Sequence, residues 1–240
     1  MRIDTDPARP NGRVLWQDGV RQSYLDLHDP TYLHFAYTQR VADAVDTVFA
    51  PGQAVMAVHL GGGGLTLPRW LAATRPASTS TVFELDPEVV HTVLGLVHVP
   101  AVTVRVVDGR AGLAALGDAH ADLVVGDAFV GRRVPEHLLG EQCVAEIIRV
   151  LRPGGLYVLN LIDDPPLDRL RAALAAVRSA FSQVGVVAAR ELLTQGMGGN
   201  VVIVASDTPV DWGDLAHRAA LRCEQPDVLG PGATAAWLGR

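Results

Sequence analysis

The chain has 240 residues, 49% of them hydrophobic and 19% charged, with a formal net charge of −6. That length buries an ordinary core without help from disulfides or metals. The acidic balance excludes the strongly basic nucleic-acid-binding classes, because phosphate backbones call for clustered Lys and Arg, whereas the 20 basic residues here are scattered.

Met1 to Val14 carries Asp4, Asp6, Pro7 and Pro10 and no apolar run. Neither a secretory signal nor a membrane span is read there, and a cytoplasmic location is expected. Cys143 and Cys223 lie far apart, and neither has a second cysteine or a histidine at metal-ligand spacing, so no metal site is expected. Val14 to Leu27 reads as a β-hairpin around the turn signal Asp18-Gly19. From Thr31 to Phe49, Tyr37, Val41, Ala44, Val45 and Val48 recur along one helical face, and Pro51-Gly52 ends the helix.

Short β-rich runs then alternate with helical stretches. The runs are Ala54–Leu60, Thr81–Leu85, Val102–Val107, Leu123–Gly126 and Leu156–Ile162; the helices are Leu65–Ala73, Pro87–Val97, Ala111–Leu116 and Glu136–Leu151. A helix over Leu167–Val184 precedes two more strands, Val186–Leu192 and Asn200–Ala205, and Trp212–Arg222 is a final helix before a Gly/Pro-rich end read as mobile. This alternation predicts an α/β fold: a doubly wound, mostly parallel, Rossmann-like sheet of seven strands with a short N-terminal β-hairpin. The expected divisions are an N-terminal tail and hairpin over 1–30, an α/β catalytic domain over 31–207, and a C-terminal helix and tail over 208–240.

In an open parallel sheet, ligands sit beyond the carboxyl ends of the strands. The first run after Pro51-Gly52 ends in Gly61-Gly62-Gly63-Gly64, the second in Glu84-Leu85-Asp86, the third in Asp108-Gly109 and the fourth in Asp127. Glycines allow close backbone approach to a ligand, and an acid about twenty residues later suits the two hydroxyls of a ribose. Each element has a plain structural reading as well, a tight turn for the glycines and a helix cap for the acids. Acids closing three successive strands favour a nucleoside site. The spaced Gly-x-Gly-x-x-Gly turn of a dinucleotide dehydrogenase is absent, since Leu65-Thr66-Leu67 follows the four glycines. A ring of acids repels phosphate and favours a ligand with a positive sulfur, an adenosyl sulfonium.

These residues resemble the spermidine synthase (polyamine aminopropyltransferase) family within the class I S-adenosylmethionine-dependent methyltransferase fold. The resemblance runs from about Arg21 to Ala205 and rests on Gln22-Ser23-Tyr24 with Asp29 and His34, the glycine loop, Phe83-Glu84-Leu85-Asp86-Pro87, Asp108-Gly109-Arg110, Asp127-Ala128 and Leu151-Arg152-Pro153-Gly154-Gly155. It implies that Gln22 and Glu84 contact the ribose, that Asp108 and Gly109 contact the adenine, with Gly61, Gly62 and Gly63 forming the nucleotide loop, and that Asp127 lies beside the attacking amine. His34 and Tyr24 fall on the substrate side of the same pattern.

Three departures bear on substrate. Family members usually carry an acid in the glycine loop where Gly63 stands, a second carboxylate where Val130 stands, and a Glu where Phe35 follows His34. The stretch Gly131-Arg132-Arg133-Val134-Pro135 is basic instead. The expected activity is alkyl transfer, aminopropyl from decarboxylated S-adenosylmethionine or methyl from S-adenosylmethionine, to an amine other than a long polyamine. A small-molecule acceptor, no nucleic acid or membrane partner, and a possible homodimer complete the expectation. The alternative is a non-catalytic nucleoside-binding homologue with a regulatory or assembly role.

Overall fold

A computed structural model of the chain describes residues 1–239. The N-terminus forms a three-stranded antiparallel sheet of β1 (Arg2–Asp6), β2 (Arg9–Gln17) and β3 (Val20–Asp26) in the order β1-β2-β3. The Asp18-Gly19 turn has φ of 51° and 77°, the double positive φ of the hairpin turn that this dipeptide favours. The stretch expected to be a tail is therefore strand. Its apolar content is little more than Ile3, which pairs with Leu15, so alternation gave no signal there. Leu15 and Leu25 pack the small sheet onto Val82, Val89 and Val93 of the main domain.

The main domain opens with α1 (Ala36–Val48), then β4 (Met56–Leu60), α2 (Thr66–Thr74), β5 (Thr79–Glu84), α3 (Pro87–Leu96), β6 (Val102–Val106), α4 (Gly109–Ala114) and β7 (Ala121–Gly126). It continues through a 3-10 turn (Glu136–Leu138), α5 (Glu141–Val150), β8 (Leu151–Asp163), α6 (Asp168–Arg178), β9 (Gln183–Ala188), α7 (Arg190–Gln195) and β10 (Gly199–Ser206). The chain ends in α8 (Trp212–Ala220), β11 (Asp227–Leu229) and α9 (Pro231–Leu238). The sheet has eight strands in the order β11-β9-β10-β8-β7-β4-β5-β6, parallel from β6 to β8, with β10 antiparallel to both β8 and β9. No helix among the described residues is long and apolar enough to cross a membrane.

Both faces of the sheet are apolar, as a sheet covered on two sides requires. Along β7 and β8, Val124, Tyr157 and Leu159 point into one core with α5 and α6, while Leu123, Val125, Leu156 and Val158 point into the other with α1 and α2. This period of two decides which helix each strand side chain meets.

Five expectations shift. The helix expected over Glu136–Leu151 is split at Gly140, and Leu151 already belongs to β8. The Arg152-Pro153-Gly154-Gly155 stop lies inside that strand as an irregularity, with Gly154 at φ 81° and the β7 register slipping between Ala121 and Leu123. The helix after Leu167 ends at Arg178, and residues expected to prolong the next strand to Leu192 form α7. The Gly/Pro-rich end, as far as residue 239, forms regular structure: β11 adds an eighth strand against β9, and Trp237 donates its indole N–H to Leu193 O at 3.0 Å. Pro231 at the start of α9, preceded by Gly230, is a helix-start signal.

Gly185 on β9 lies under β11, where an added Cβ would sit 2.6 Å from Leu229 O and against the Trp212 ring. Gly185→Ala is expected to destabilise the protein by about 1–3 kcal/mol, the usual cost of overpacking, measured as a lowered midpoint of urea unfolding. An unchanged midpoint would place β11 elsewhere.

Candidate functional site

The strand order reverses direction between β4 and β7, and a cavity of about 750 Å³ opens at the carboxyl ends of these strands. Gly61 and Asp127 flank the reversal. Gly61 N donates to Phe83 O and Asp127 N to Leu60 O, both at 2.8 Å, so the two loops are pinned to the sheet and to each other. Gly61 has φ 96°, and a Cβ there would lie 2.7 Å from Asp127 C and 2.8 Å from Ala128 Cα. Only glycine fits.

The rest of the glycine loop is held by side chains. Glu84 Oε2 accepts from Gly62 N at 2.8 Å and Gly63 N at 3.3 Å, Glu84 Oε1 accepts from Asp86 N at 3.0 Å, and Ser23 Oγ accepts from Gly64 N at 2.9 Å. The amides that would cradle a phosphate in a dinucleotide loop are thus already satisfied within the protein. Three of the roughly four acceptor positions on the Glu84 carboxylate are occupied, leaving room for a ligand hydroxyl. Asp86 is the N-cap of α3, accepting from Glu88 N at 2.8 Å, which is the helix-cap role weighed for it in the sequence.

Asp108 is likewise an N-cap, for α4, its Oδ1 accepting from Arg110 N at 3.0 Å and Ala111 N at 3.1 Å. Its Oδ2 lies 2.7 Å from His137 Nε2. Burial alone would raise the Asp108 pKa, but His137 and the helix amides outweigh it and hold the carboxyl below its ordinary value. His137 was not foreseen. It sits on the 3-10 turn after a loop, 29 positions from its partner, where no spacing rule reaches. Gly109 packs at the start of α4, where a Cβ would lie 3.3 Å from Leu60 Cβ. Gln22 Nε2 donates to Gly131 O at 3.1 Å, tying the hairpin to the turn before Arg132 and Arg133.

Gln22, Gly61, Gly62, Gly63, Glu84, Asp108, Gly109 and Asp127 all line the one cavity, and Tyr24 and His34 do not. Tyr24 is buried and donates to Asp6 Oδ2 at 2.9 Å, and its ring stacks on His34 at 4.0 Å between centroids. Burial lowers the His34 pKa. This pair fastens the small sheet to the segment before α1. Phe35 and Tyr37, which follow His34 in the chain, line the cavity instead.

Asp127 follows β7 and lines the cavity. Its Oδ1 accepts from Asn160 Nδ2 at 2.8 Å and its Oδ2 from Tyr37 OH at 3.1 Å. Asn160 Oδ1 in turn accepts from Asn200 Nδ2 at 3.0 Å. Desolvation pushes the Asp127 pKa up to about 7; the Asn160 and Tyr37 bonds pull against it, and the charge of Glu84 adds to it. Burial and Asp127 together hold the Tyr37 phenol neutral, well above its ordinary pKa. Beneath the cavity, burial pushes His59 down to about 3, leaving it neutral with Nε2 3.3 Å from Ser80 Oγ. Asp127 is thus a carboxyl that can hold or release a proton near neutral pH, steered by two neutral donors.

No protein-family profile matches the chain. It is 28% identical to the polyamine aminopropyltransferase of Vibrio vulnificus over 173 residues, 69% of this chain and 56% of that protein, so the match spans little more than half the length of its relative. The structure of a probable spermidine synthase from Corynebacterium glutamicum superimposes with TM-score 0.90 and 25% identity over 98% of this chain and 89% of its own. That of human methyltransferase-like protein 13 in complex with SAH does so with TM-score 0.64 and 18% identity over 86% and 94%. The chain is therefore spermidine synthase-like and carries the class I S-adenosylmethionine-dependent methyltransferase fold.

Proposed function

We propose that the chain transfers an alkyl group from an S-adenosyl sulfonium donor to a small amine, with Asp127 taking the amine's proton or orienting its lone pair. The observation that carries this reading is a carboxyl with a pKa near 7 at the strand reversal, beside the glycine loop and within one cavity with Glu84 and Asp108. The human structure that shares the fold holds SAH, the demethylated form of one such donor. A cavity of about 750 Å³ is of the size that holds a nucleoside and a small acceptor.

In the reaction, the amine lone pair forms the N–C bond as the C–S bond breaks, and the sulfonium leaves as a neutral thioether. The nucleophile must be neutral. An alkylamine has a pKa near 10.4, so freeing its lone pair at pH 7 costs about 4.6 kcal/mol. An ammonium docked beside Asp127 favours the carboxylate and then delivers its proton there. Glu84 and Asp108 hold the ribose and adenine edges. Holding donor and acceptor in line supplies the larger share of the acceleration.

The transferred group depends on the donor. Gly63, at φ 45° with its Cβ position 3.3 Å from Ser23 Oγ, offers no carboxylate for the ammonium of decarboxylated S-adenosylmethionine and no repulsion to the methionine carboxylate. Calorimetric titration is expected to show S-adenosylmethionine binding at least as tightly as the decarboxylated form. A tenfold preference for the latter would assign aminopropyl transfer.

Asp127→Asn is expected to lower turnover about 10²–10⁴-fold with nucleotide affinity nearly unchanged, and near-wild-type turnover would remove Asp127 from the mechanism. The wild-type kcat/KM should rise with pH through about 7 as Asp127 ionises, and the variant should lack that limb. Stability responds in the opposite direction. A raised folded-state pKa means the folded protein binds the proton more tightly than the unfolded chain, so this group's contribution falls as pH rises from about 4 to about 7. The melting temperature of Asp127→Asn relative to wild type should therefore climb between pH 4 and pH 8.

A further inference from the structure

Arg40 lies one helical turn beyond Tyr37 on α1, on the same face, and both line the cavity. Its side chain is 4% exposed. Nη1 donates to Asn200 O at 2.9 Å, Nη2 donates to Glu224 Oε2 at 2.7 Å, and Nε has no hydrogen-bond partner. Asn200 is also the end of the chain of amides that reaches Asp127 through Asn160. Arg40 and Asp127 are thus linked through the backbone carbonyl and side chain of Asn200 and the side chain of Asn160.

A buried cation with an unpaired N–H is costly unless a well-placed anion meets it. The anion present is a poor one. Glu224 is 57% exposed, on the connection between α8 and β11, and it also lines the cavity. An ion pair with so exposed a partner is weak and exchanges readily. Burial lowers the Arg40 pKa while Glu224 raises it, so a second, drier carboxylate would be met by a cation short of partners. Glu191 and Arg132 also line the cavity; Glu191 is exposed, and Arg132 leans toward Asp164 at 3.7 Å.

We propose that the acceptor is an amino carboxylate, its amine placed on Asp127 and its carboxylate on Arg40, in the position that Glu224 holds in the free protein. This rests on the alkyl-transfer reading only in taking Asp127 as the acceptor end. A diamine would bring its second ammonium against Arg40, whereas a carboxylate can take a two-pronged hydrogen bond from the guanidinium. Glu224 then acts as an internal competitor that keeps Arg40 neutralised until the acceptor arrives.

The test is calorimetry on the full chain loaded with 5′-methylthioadenosine, titrated with ω-amino acids from glycine through 6-aminohexanoate and with diamines of matching length. One of the amino acids should bind at least tenfold more tightly than its matching diamine. Glu224→Gln, an exposed change that removes the competitor, should tighten that amino acid at least threefold. Arg40→Met should weaken it tenfold or more with nucleoside affinity retained, thermal melting showing whether the variant is folded. Tighter binding of a diamine, binding of no amino acid, or a Glu224→Gln variant that leaves affinity unchanged or lowers it overturns the proposal. Titrations repeated without nucleoside separate the two readings: failure of 5′-methylthioadenosine to bind defeats the donor assignment, while the amino-acid result still decides the role of Arg40.

Discussion

Glu84 accepts the amides of Gly62 and Gly63, and the geometry of the whole cavity depends on that contact. Gly61 can approach Asp127 only because it lacks a Cβ, and the loop that follows can turn into α2 only if its amides are satisfied at once. Glu84 satisfies two of them from the adjacent strand, and Ser23 reaches across from the hairpin to satisfy the third. The loop thereby loses the anion-binding character that glycine-rich turns have when their amides face the ligand. What lines the cavity beside the loop is carboxylate, a lining suited to hydroxyls and positive charge.

The opposite wall is built from a buried polar chain rather than from the loop. Tyr37, Asn160, Asn200 and Arg40 come from a helix and two antiparallel strands, and each spends a hydrogen-bonding group on the next or on Asp127. Linked polar chains of this kind hold their members in one arrangement because breaking a link strands a polar group, though Arg40 Nε here stays unpaired. Burial, against the pull of the Asn160 and Tyr37 bonds, leaves Asp127 in surroundings that disfavour its charge. The cost in stability and the readiness to exchange a proton near neutral pH have the same origin, which is desolvation of one carboxyl.

Much of this was legible in the residues. Asp18-Gly19 specifies its turn, the alternation of β-rich and helical runs specifies a parallel sheet, and the acids after the β-rich runs lie where such sheets bind ligands. Less legible were pieces whose signal is not local. β1 is nearly all polar: it is an edge strand, and none of its five residues is buried. β11 is three residues long and exists only because β9 offers it an edge. Tyr24 and His34 belong to a motif near the site, yet stacking on each other takes both rings away from the cavity.

The sequence by itself determined the class of fold and the chemistry at the strand ends, since strand period, turn residues and the positions after each β-rich run are properties of neighbouring residues. Only the tertiary structure decided who meets Asp127. Asn160 reads as an interruption in an apolar strand and Tyr37 as one more residue on an apolar helix face, until the sheet order brings β8 and β10 beneath α1. His137 and Arg40 find their partners across 29 and 160 positions, distances over which side-chain adjacency follows from packing and not from spacing. The glycine loop shows both halves: its location follows from the sequence, but the fact that its amides serve Glu84 and Ser23 rather than a ligand follows from the fold.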